Sequence, residues 1–293
     1  ARDFIIKLLK DNKIDYIDTL PYFNNYMKNN KSKLLFHPYD TNHPNEIGHE
    51  LISKAIYDNS KLLYADKFRF NNKKNILNAK GNVKAEDVKK KYIIYTDELT
   101  YFKNEEKITT SGFTNGKINS KYEFKSKNIV FFPKINNLSS NYKTEIKDNN
   151  SQVFNFDKFI FLIDDEIIKG EKILIITNFN LPKSDKFYFS NAIINLKNKK
   201  FIGKDTQIKI HKNVFDNPEN DPRLSGVSAT ADDNITIVNK GIFTSCNKKD
   251  DCPPWTIKAN KITHDKNKKQ LLYENAVLNI YNIPVLYFPK FFH

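Results

Sequence analysis

One hairpin pattern recurs along most of this 293-residue chain, and it constrains the fold more than any other feature. Each copy has an apolar-alternating strand, a turn rich in Asn, Lys and Glu, and a second strand. A further reversal is predicted at Gly81, Gly112 and Asn275, because Gly and Asn tolerate the left-handed backbone of a tight turn. The clearest copies span residues 65–84, 96–114 and 260–278, and looser copies span 157–176 and 191–210.

Hairpins that cannot bury their own apolar face must stack on their neighbours. The pattern therefore predicts a mainly β chain, folded as an elongated, open antiparallel β-jelly roll of stacked hairpins. Composition agrees, since aromatic residues make up 13% of the chain and favour strands. No apolar run is long enough for a transmembrane helix.

The net charge of +14 comes almost entirely from lysine, with arginine only at Arg2, Arg69 and Arg223. Arginine is the usual residue for bidentate recognition of bases and phosphates, so we do not expect a nucleic acid partner. The charge is compatible with lipid phosphates. A generic adhesin or polyanion binder is a weaker alternative.

Residues 1–60 differ from residues 61–293 in their pattern of apolar residues, and we predict that residues 1–60 form a separate short α/β fragment. Helical and strand patterns alternate, which is typical of α/β architecture. The predicted helices cover residues 1–12, 20–27 and a segment after Pro44, the predicted strands cover 14–17 and 33–36, and a loop begins at His37.

This loop carries the sequence Asp-Thr-Asn-His-Pro-Asn from Asp40 to Asn45, followed by Gly48 and His49. An Asp three residues before a His can orient the imidazole as a general base for a serine. The block resembles the last motif of SGNH/GDSL-type esterases, where Asp40 and His43 would match the catalytic Asp and His. The nucleophile and oxyanion-hole blocks of that family are not found before Asp40, so we expect this segment to be inert.

Alternation in the middle of the chain predicts aromatic-rich strand faces. Most of these residues fit an ordinary packed core, whereas an open-edged fold would leave an apolar trough for acyl chains. The strand from Ile173 is expected to continue through Leu181. The candidates for a lipid groove are Phe159, Phe161, Ile163, Ile173, Ile175, Phe179, Phe187 and Phe189.

A Pro- and Asp-rich stretch before Arg223 predicts a loop, and Arg223 could pin this loop or meet a phosphate, with pinning favoured. Cys246 and Cys252 have no accompanying His or Cys ligand set, so they are too few for a zinc site, and their spacing is not that of a C-x-x-C redox motif. We expect no metal and no cofactor. A local disulfide in an oxidising compartment is favoured. Pairing with cysteines outside this chain is the alternative.

From about Tyr64 onward the chain resembles the periplasmic N-terminal domain of the OstA-like (LptD) family, outer-membrane proteins that assemble lipopolysaccharide. The resemblance rests on LNAKGNV, DPRLSG, GIFTSC…CPPWTIKANKITHD and the closing YENAVLNIYNIPVLYFPKFFH.

The resemblance implies a stacked jelly roll whose groove carries the acyl chains of lipopolysaccharide at the periplasmic face of the Gram-negative outer membrane. It also implies strand-edge pairing with a periplasmic bridge protein, and an outer-membrane barrel with its plug lipoprotein beyond the junction PVLYFPKFFH. No enzymatic activity is expected. The alternative is an SGNH-type esterase with a β accessory domain, which requires a nucleophile upstream.

Overall fold

The computed structural model describes residues 2–12, 16–30, 35–37, 40–212, 220–246 and 254–292, with the backbone alone at 37 and 40–42. Strands account for 59% of the chain and helices for 14%, which confirms the predicted mainly β fold. The chain divides into two compact units, Ala1–Leu63 with Ala85–Ile93, and Tyr64–Lys84 with Ile94–His293. None of the helices in the described ranges is long and apolar enough to cross a membrane.

The first unit is built mainly from three helices, as the sequence predicts. Pro21 lies in the first turn of the second helix, where its missing N–H has no intrahelical partner in any case. A two-stranded antiparallel sheet precedes the third helix. The elements are α1 (Arg2–Asp11), α2 (Leu20–Asn29), β1 (Phe36–His37), β2 (Asp40–Pro44) and α3 (Glu46–Asp58).

The predicted strands of this unit need correction. Tyr16 and Ile17 lie outside any strand, and residues 13–15 and 31–34 fall outside the described ranges. Asp40 and His43 lie on β2 and not in a loop, because this segment satisfies its backbone groups by pairing with β1.

The second unit is a series of antiparallel strands that contains every predicted hairpin. The hairpin pairs β4–β5, β13–β14, β15–β16 and β19–β20 are in register along their lengths, and β6 neighbours β7. The strands that follow α3 in the chain are β3 (Lys61–Tyr64), β4 (Lys67–Asn71), β5 (Ile76–Asp87), β6 (Tyr92–Phe102), β7 (Lys107–Ile118), β8 (Tyr122–Lys127), β9 (Val130–Phe132), β10 (Asn137–Ser140), β11 (Thr144–Asp148), β12 (Val153–Phe156), β13 (Lys158–Leu162), β14 (Ile167–Ile176), β15 (Lys186–Asn195), β16 (Lys200–Lys209), β17 (Arg223–Ala231), β18 (Ile235–Thr244), β19 (Trp255–Asp265), β20 (Gln270–Ile280) and β21 (Ile283–Phe292). Residues 61–63 of β3, 85–87 of β5 and 92–93 of β6 belong to the first unit.

The long strands are interrupted once near their middle. Pairing skips Lys172 between β14 and β15, Asp205 between β16 and β17, and Lys240 between β18 and β19. These three residues have left-handed backbones, with φ of 47°, 48° and 47°. A left-handed residue inside a strand redirects the chain, so each strand contributes one half to each of two sheets. We call this line of residues the corner.

Gly81, Gly112 and Asn275 belong to the same corner. Their φ angles of 80°, 89° and 51° confirm the predicted left-handed backbone. Their predicted place at the end of a strand is wrong, since they lie inside β5, β7 and β20. The residue types indicated the backbone conformation but not its use as a bend.

The two sheets pack face to face away from the corner. Sheet A contains β8, β11 and β12, sheet B contains β9, β10 and β13, and β14 to β20 contribute a half to each. Because β7 and β14 both cross the corner, the pairings between them close into a ring of eight strands. Aromatic side chains from opposite sheets meet between them, with 5.6 Å between the ring centroids of Tyr122 and Phe161 and 5.0 Å between those of Phe187 and Phe201.

Glycines beside the corner admit large side chains. A Cβ atom on Gly203 would lie 2.2 Å from the ring of Phe189, and one on Gly170 would lie 2.4 Å from the ring of Phe156. The aromatic interior thus depends on glycine at these positions, because real Cβ atoms do not approach so closely.

The segment PVLYFPKFFH is a strand within the ladder. Its residues 284–292 belong to β21, which pairs with β20 along its length. Its side chains are mostly exposed, including Val285, Leu286, Tyr287 and Phe292. A continuation into a membrane barrel stays a prediction.

Candidate functional site

The interior between the two sheets holds most of the residues predicted to line a lipid groove. Each of the following is at most 3% exposed and packed as core: Phe159, Phe161, Ile163, Ile173, Ile175, Phe187 and Phe189. Their burial fits both the packed-core interpretation and the interior of a closed groove.

Phe179 is placed differently from the prediction. The strand from Ile173 ends at Ile176, because Asn178 and Asn180 have left-handed backbones. Phe179 therefore lies in the connection to β15, half-buried, with the ammonium group of Lys147 5.4 Å from its ring centroid.

The side of the unit opposite the corner, where the free ends of the two sheets meet, is called the opening. Sheet B contributes the turns 163–166, 196–199, 232–234 and 266–269, and sheet A contributes 177–185 and 210–211. A cavity of about 70 Å³ lies there, lined by Ile175 and Phe187 among others. Since benzene occupies a cavity of about 150 Å³, an acyl chain can enter only if the sheets separate at the opening.

A larger pocket of about 600 Å³ lies at the same opening, beside that cavity. It is polar, and its residues come from the ends of both sheets. Its rim carries Lys183, Lys199, Asp233, Lys266 and Lys269, and its inner residues include Thr177, Asp185, His211 and His264.

Both carboxylates of the pocket have a hydrogen-bond or ion-pair partner. The Asp185 side chain is buried and accepts a hydrogen bond from the backbone N–H of His211 at 2.9 Å, and its Oδ1 lies 2.8 Å from Nδ1 of that imidazole. Asp233 pairs with the ammonium group of Lys199 at 3.1 Å. No ion pair to Lys183, Lys266 or Lys269 is found among the described residues, although backbone hydrogen bonds and, less strongly, the charge of Lys266 lower the pKa of the nearby Asp232 carboxyl. The four lysines of the lining outnumber its two aspartates, so the pocket carries excess positive charge.

His264 is the most unusual residue of the pocket. It is 4% exposed, and no hydrogen-bond partner of its Nε2 is found in the described part of the chain. Burial lowers its pKa to about 4, an effect that the charge of Asp185 partly offsets, so the imidazole is neutral at pH 7. Thr236, its partner on β18, also buries a hydroxyl group for which the described ranges show no partner.

The SGNH-like motif has a structural role in the first unit. Asn45 caps α3 by accepting a hydrogen bond from the N–H of Gly48 at 3.0 Å. A Cβ atom on Gly48 would lie 2.4 Å from the carbonyl oxygen of Leu35, so the glycine is required there. His43 is exposed, and the side chain of Asp40 lies outside what the structure describes, so catalytic pairing of these two residues stays a prediction.

Arg223 pins the chain, as the sequence predicts. Its Nη1 donates to the carbonyl oxygens of Cys246 at 2.6 Å and Asp221 at 3.2 Å. Cys246 is half-buried, with Sγ 3.8 Å from the carbonyl oxygen of Trp255. Cys252 lies outside the described residues, and the predicted disulfide stays a prediction.

Sequence reasoning missed the polar pocket, because its residues come from distant turns. A local signal was nevertheless present at His264. This residue occupies an inward position of a strand, two residues after Ile262, where an apolar side chain is expected.

The comparisons with known proteins do not assign this chain. No protein-family model matches it, and a search of curated proteins finds no significant match. No group of three or more His, Cys, Asp or Glu residues is placed to hold a metal ion in the described ranges.

Proposed function

We propose that the second unit binds the acyl chains of lipopolysaccharide between its two sheets and carries this lipid during outer-membrane assembly. The proposal takes its substrate from the resemblance to the OstA-like family. The observation that carries it is the cavity at the opening, where core side chains such as Ile175 and Phe187 meet polar and lysine side chains of the rim. An amphiphile with acyl chains and anionic groups matches both surfaces.

Access to this interior requires a local separation of the sheets. At the cavity the two sheets meet through the edge-to-face contact of Phe187 with Phe201, and the ammonium group of Lys266 lies 5.9 Å from the ring of Phe187. An aromatic pair contributes only about 0.5–1.5 kcal/mol beyond its buried area. A lipid chain that replaces this contact with its own apolar surface would offset the loss.

The remaining parts of the proposal rest on the resemblance alone. The protein would act at the periplasmic face of the outer membrane, without enzymatic activity. It would pair edge to edge with a periplasmic bridge protein by β-augmentation. An outer-membrane barrel and its plug lipoprotein would receive the lipid.

Photo-crosslinking tests the interior as the lipid site. A photoreactive residue replaces Ile175 at the cavity or Phe161 deeper inside, and the purified protein is incubated with lipopolysaccharide. We expect an adduct at Ile175 first and at Phe161 as loading proceeds. The matched control is Ile193, which is 46% exposed on a strand of the same sheets. Equal labelling at Ile193, or no adduct at either inward position, would overturn the proposal.

A further inference from the structure

We infer that the polar pocket at the opening is a binding site for a phosphate ester, held by Lys183, Lys266 and Lys269 above the buried imidazole of His264. This inference deepens the proposed function by assigning a place to the anionic part of the ligand. It does not require that the interior accept acyl chains, so the two proposals can fail separately.

The charge of the pocket favours an anion. Four lysines and two aspartates line it, and the aspartates are already engaged by Lys199 and by His211. The ammonium groups of Lys183, Lys266 and Lys269 come from the ends of both sheets, so an anion between them would bridge the opening. Charge-assisted hydrogen bonds to a phosphate are roughly twice as strong as neutral ones.

The buried imidazole supplies an independent reason. A buried polar atom without a partner is costly, so such groups in folded proteins normally meet a partner, water or a ligand. Nε2 of His264 is such an atom, and His264 is one of the residues that line this pocket. In its Nε2-protonated tautomer the neutral imidazole donates one hydrogen bond, which a phosphate oxygen can accept.

Phosphate fits this donor set better than a carboxylate does. A phosphate monoester presents three strong acceptor oxygens and carries a charge of about −1.5 to −2 at pH 7. Three ammonium groups and one imidazole can therefore share its oxygens. The ester oxygen then points toward the opening, and the pocket volume of about 600 Å³ leaves room for a sugar.

Nuclear magnetic resonance of the histidine side chains tests the site. We titrate the whole protein with inorganic phosphate and with glucose 1-phosphate, which has no acyl chain, and follow the imidazole signals of His264 and His211. We expect saturable shifts and a rise in the pKa of His264, because a bound anion favours the imidazolium form. Absence of any saturable change at His264 with both probes would overturn the inference.

A charge-matched pair of variants separates a built site from general attraction. Lys183→Gln, Lys266→Gln and Lys269→Gln are combined in one protein. Lys73→Gln, Lys74→Gln and Lys258→Gln are combined in the other, since these exposed lysines do not line the pocket. We expect the first set to weaken phosphate binding at least about tenfold and the second to leave it nearly unchanged. An equal loss in both would show a nonspecific charge effect and would overturn the site.

A third arm distinguishes a lipid headgroup from free phosphate. Phosphorylated and dephosphorylated forms of an acylated glucosamine disaccharide compete with glucose 1-phosphate for the wild-type protein. Competition by the phosphorylated form alone supports a headgroup site. The dephosphorylated lipid is also crosslinked at Ile175 in the variant that combines Lys183→Gln, Lys266→Gln and Lys269→Gln. An adduct there would show that the interior binds acyl chains without the phosphate site.

Discussion

The strands β7–β14 (residues 107–176, the N-terminal block) and β15–β20 (residues 186–280, the C-terminal block) share one architecture but fill its interior differently. In the N-terminal block, buried hydroxyl groups along the corner bond to each other, at 2.7 Å between Thr110 and Thr114 and 2.7 Å between Ser126 and Thr144. In the C-terminal block no partner is found, within the described ranges, for Oγ1 of Thr206 beside the corner, nor for Oγ1 of Thr236 and Thr256 farther along their strands.

The two blocks also differ in their polar contacts at the opening. In the N-terminal block Glu166 of sheet B accepts hydrogen bonds from the ammonium group of Lys121 at 2.8 Å and the hydroxyl group of Tyr122 at 3.2 Å, and so joins the free ends of both sheets. In the C-terminal block lysines without carboxylate partners in the described ranges face the opening. Side chains therefore distinguish a block whose opening is bridged by Glu166 from a block whose opening is lined by lysines.

The largest expected effect is on the sealed core. Phe161 is fully buried and packs edge-to-face on Tyr122, so Phe161→Ala should lower the free energy of unfolding by about 4 kcal/mol. Ile193→Ala, at an exposed position, should cost less than about 1 kcal/mol. Urea denaturation measures both values. A cost for Phe161→Ala as small as that for Ile193→Ala would contradict a sealed N-terminal block.

Acid should destabilise the protein through His264. Its pKa is about 4 in the folded state and near 6.5 when unfolded, so the unfolded chain binds more protons between these values. Stability should therefore fall as the pH decreases from 6.5 to 4, by on the order of 3 kcal/mol for this residue. Denaturation at several pH values measures the loss.

The matched variant for this test is His264→Leu, which removes the titrating group. Its stability should change less across the same pH window than that of the wild type. A histidine titration in the folded wild-type protein gives a direct second measurement. A pKa of His264 near 6.5 would contradict the buried, neutral imidazole.

Much of this difference between the two blocks could not be predicted from the sequence. The alternation of apolar and polar residues located the hairpins, because the side-chain period of a strand is a local property. The residue types at Gly81, Gly112 and Asn275 indicated their left-handed backbone. Lys172 and Lys240 gave no such signal, since lysine rarely adopts this conformation and does so here only because the two sheets impose the bend.

The candidate site shows the same limit. Phe161 and Ile175 were predicted to face inward and do, because the choice of face follows from the alternation. The polar pocket joins Lys183 to Lys266 and Lys269, from turns that are distant in sequence. Only the pairing of whole strands brings such turns together, so no local pattern could predict the pocket.

Two hydroxyl deletions with opposite expected effects on stability test the difference between the blocks directly. Thr114→Val breaks the bonds of a buried hydroxyl with Thr96 and Thr110, so it should destabilise the protein by about 1–2 kcal/mol. Thr236→Val removes a buried hydroxyl with no partner in the described ranges, so it should stabilise by up to about 1 kcal/mol. Thermal denaturation of the two variants compares them, and losses of equal size would contradict the contrast between the blocks.

The smallest expected effect is at the Glu166 contact that closes the N-terminal block. Its hydrogen bond from Lys121 holds the pKa of the Glu166 carboxyl below its usual value, and the Tyr122 hydroxyl acts in the same direction. A lowered carboxyl pKa stabilises the fold above about pH 4.5, and this stability is lost as the pH falls through the folded-state value.

Because the Lys121 side chain is 58% exposed, solvent screening limits the contribution, and Glu166→Gln should cost no more than about 1 kcal/mol at pH 7. The cost should vanish at low pH, where the wild-type carboxyl is protonated as well. Lys158→Gln, which breaks an exposed ion pair with Glu171 away from the opening, is the control. If Glu166→Gln also admits lipid crosslinks at Phe161 more readily than the control, this contact is what separates the sealed block from the accessible one. Unchanged crosslinking would assign the seal to the aromatic core alone.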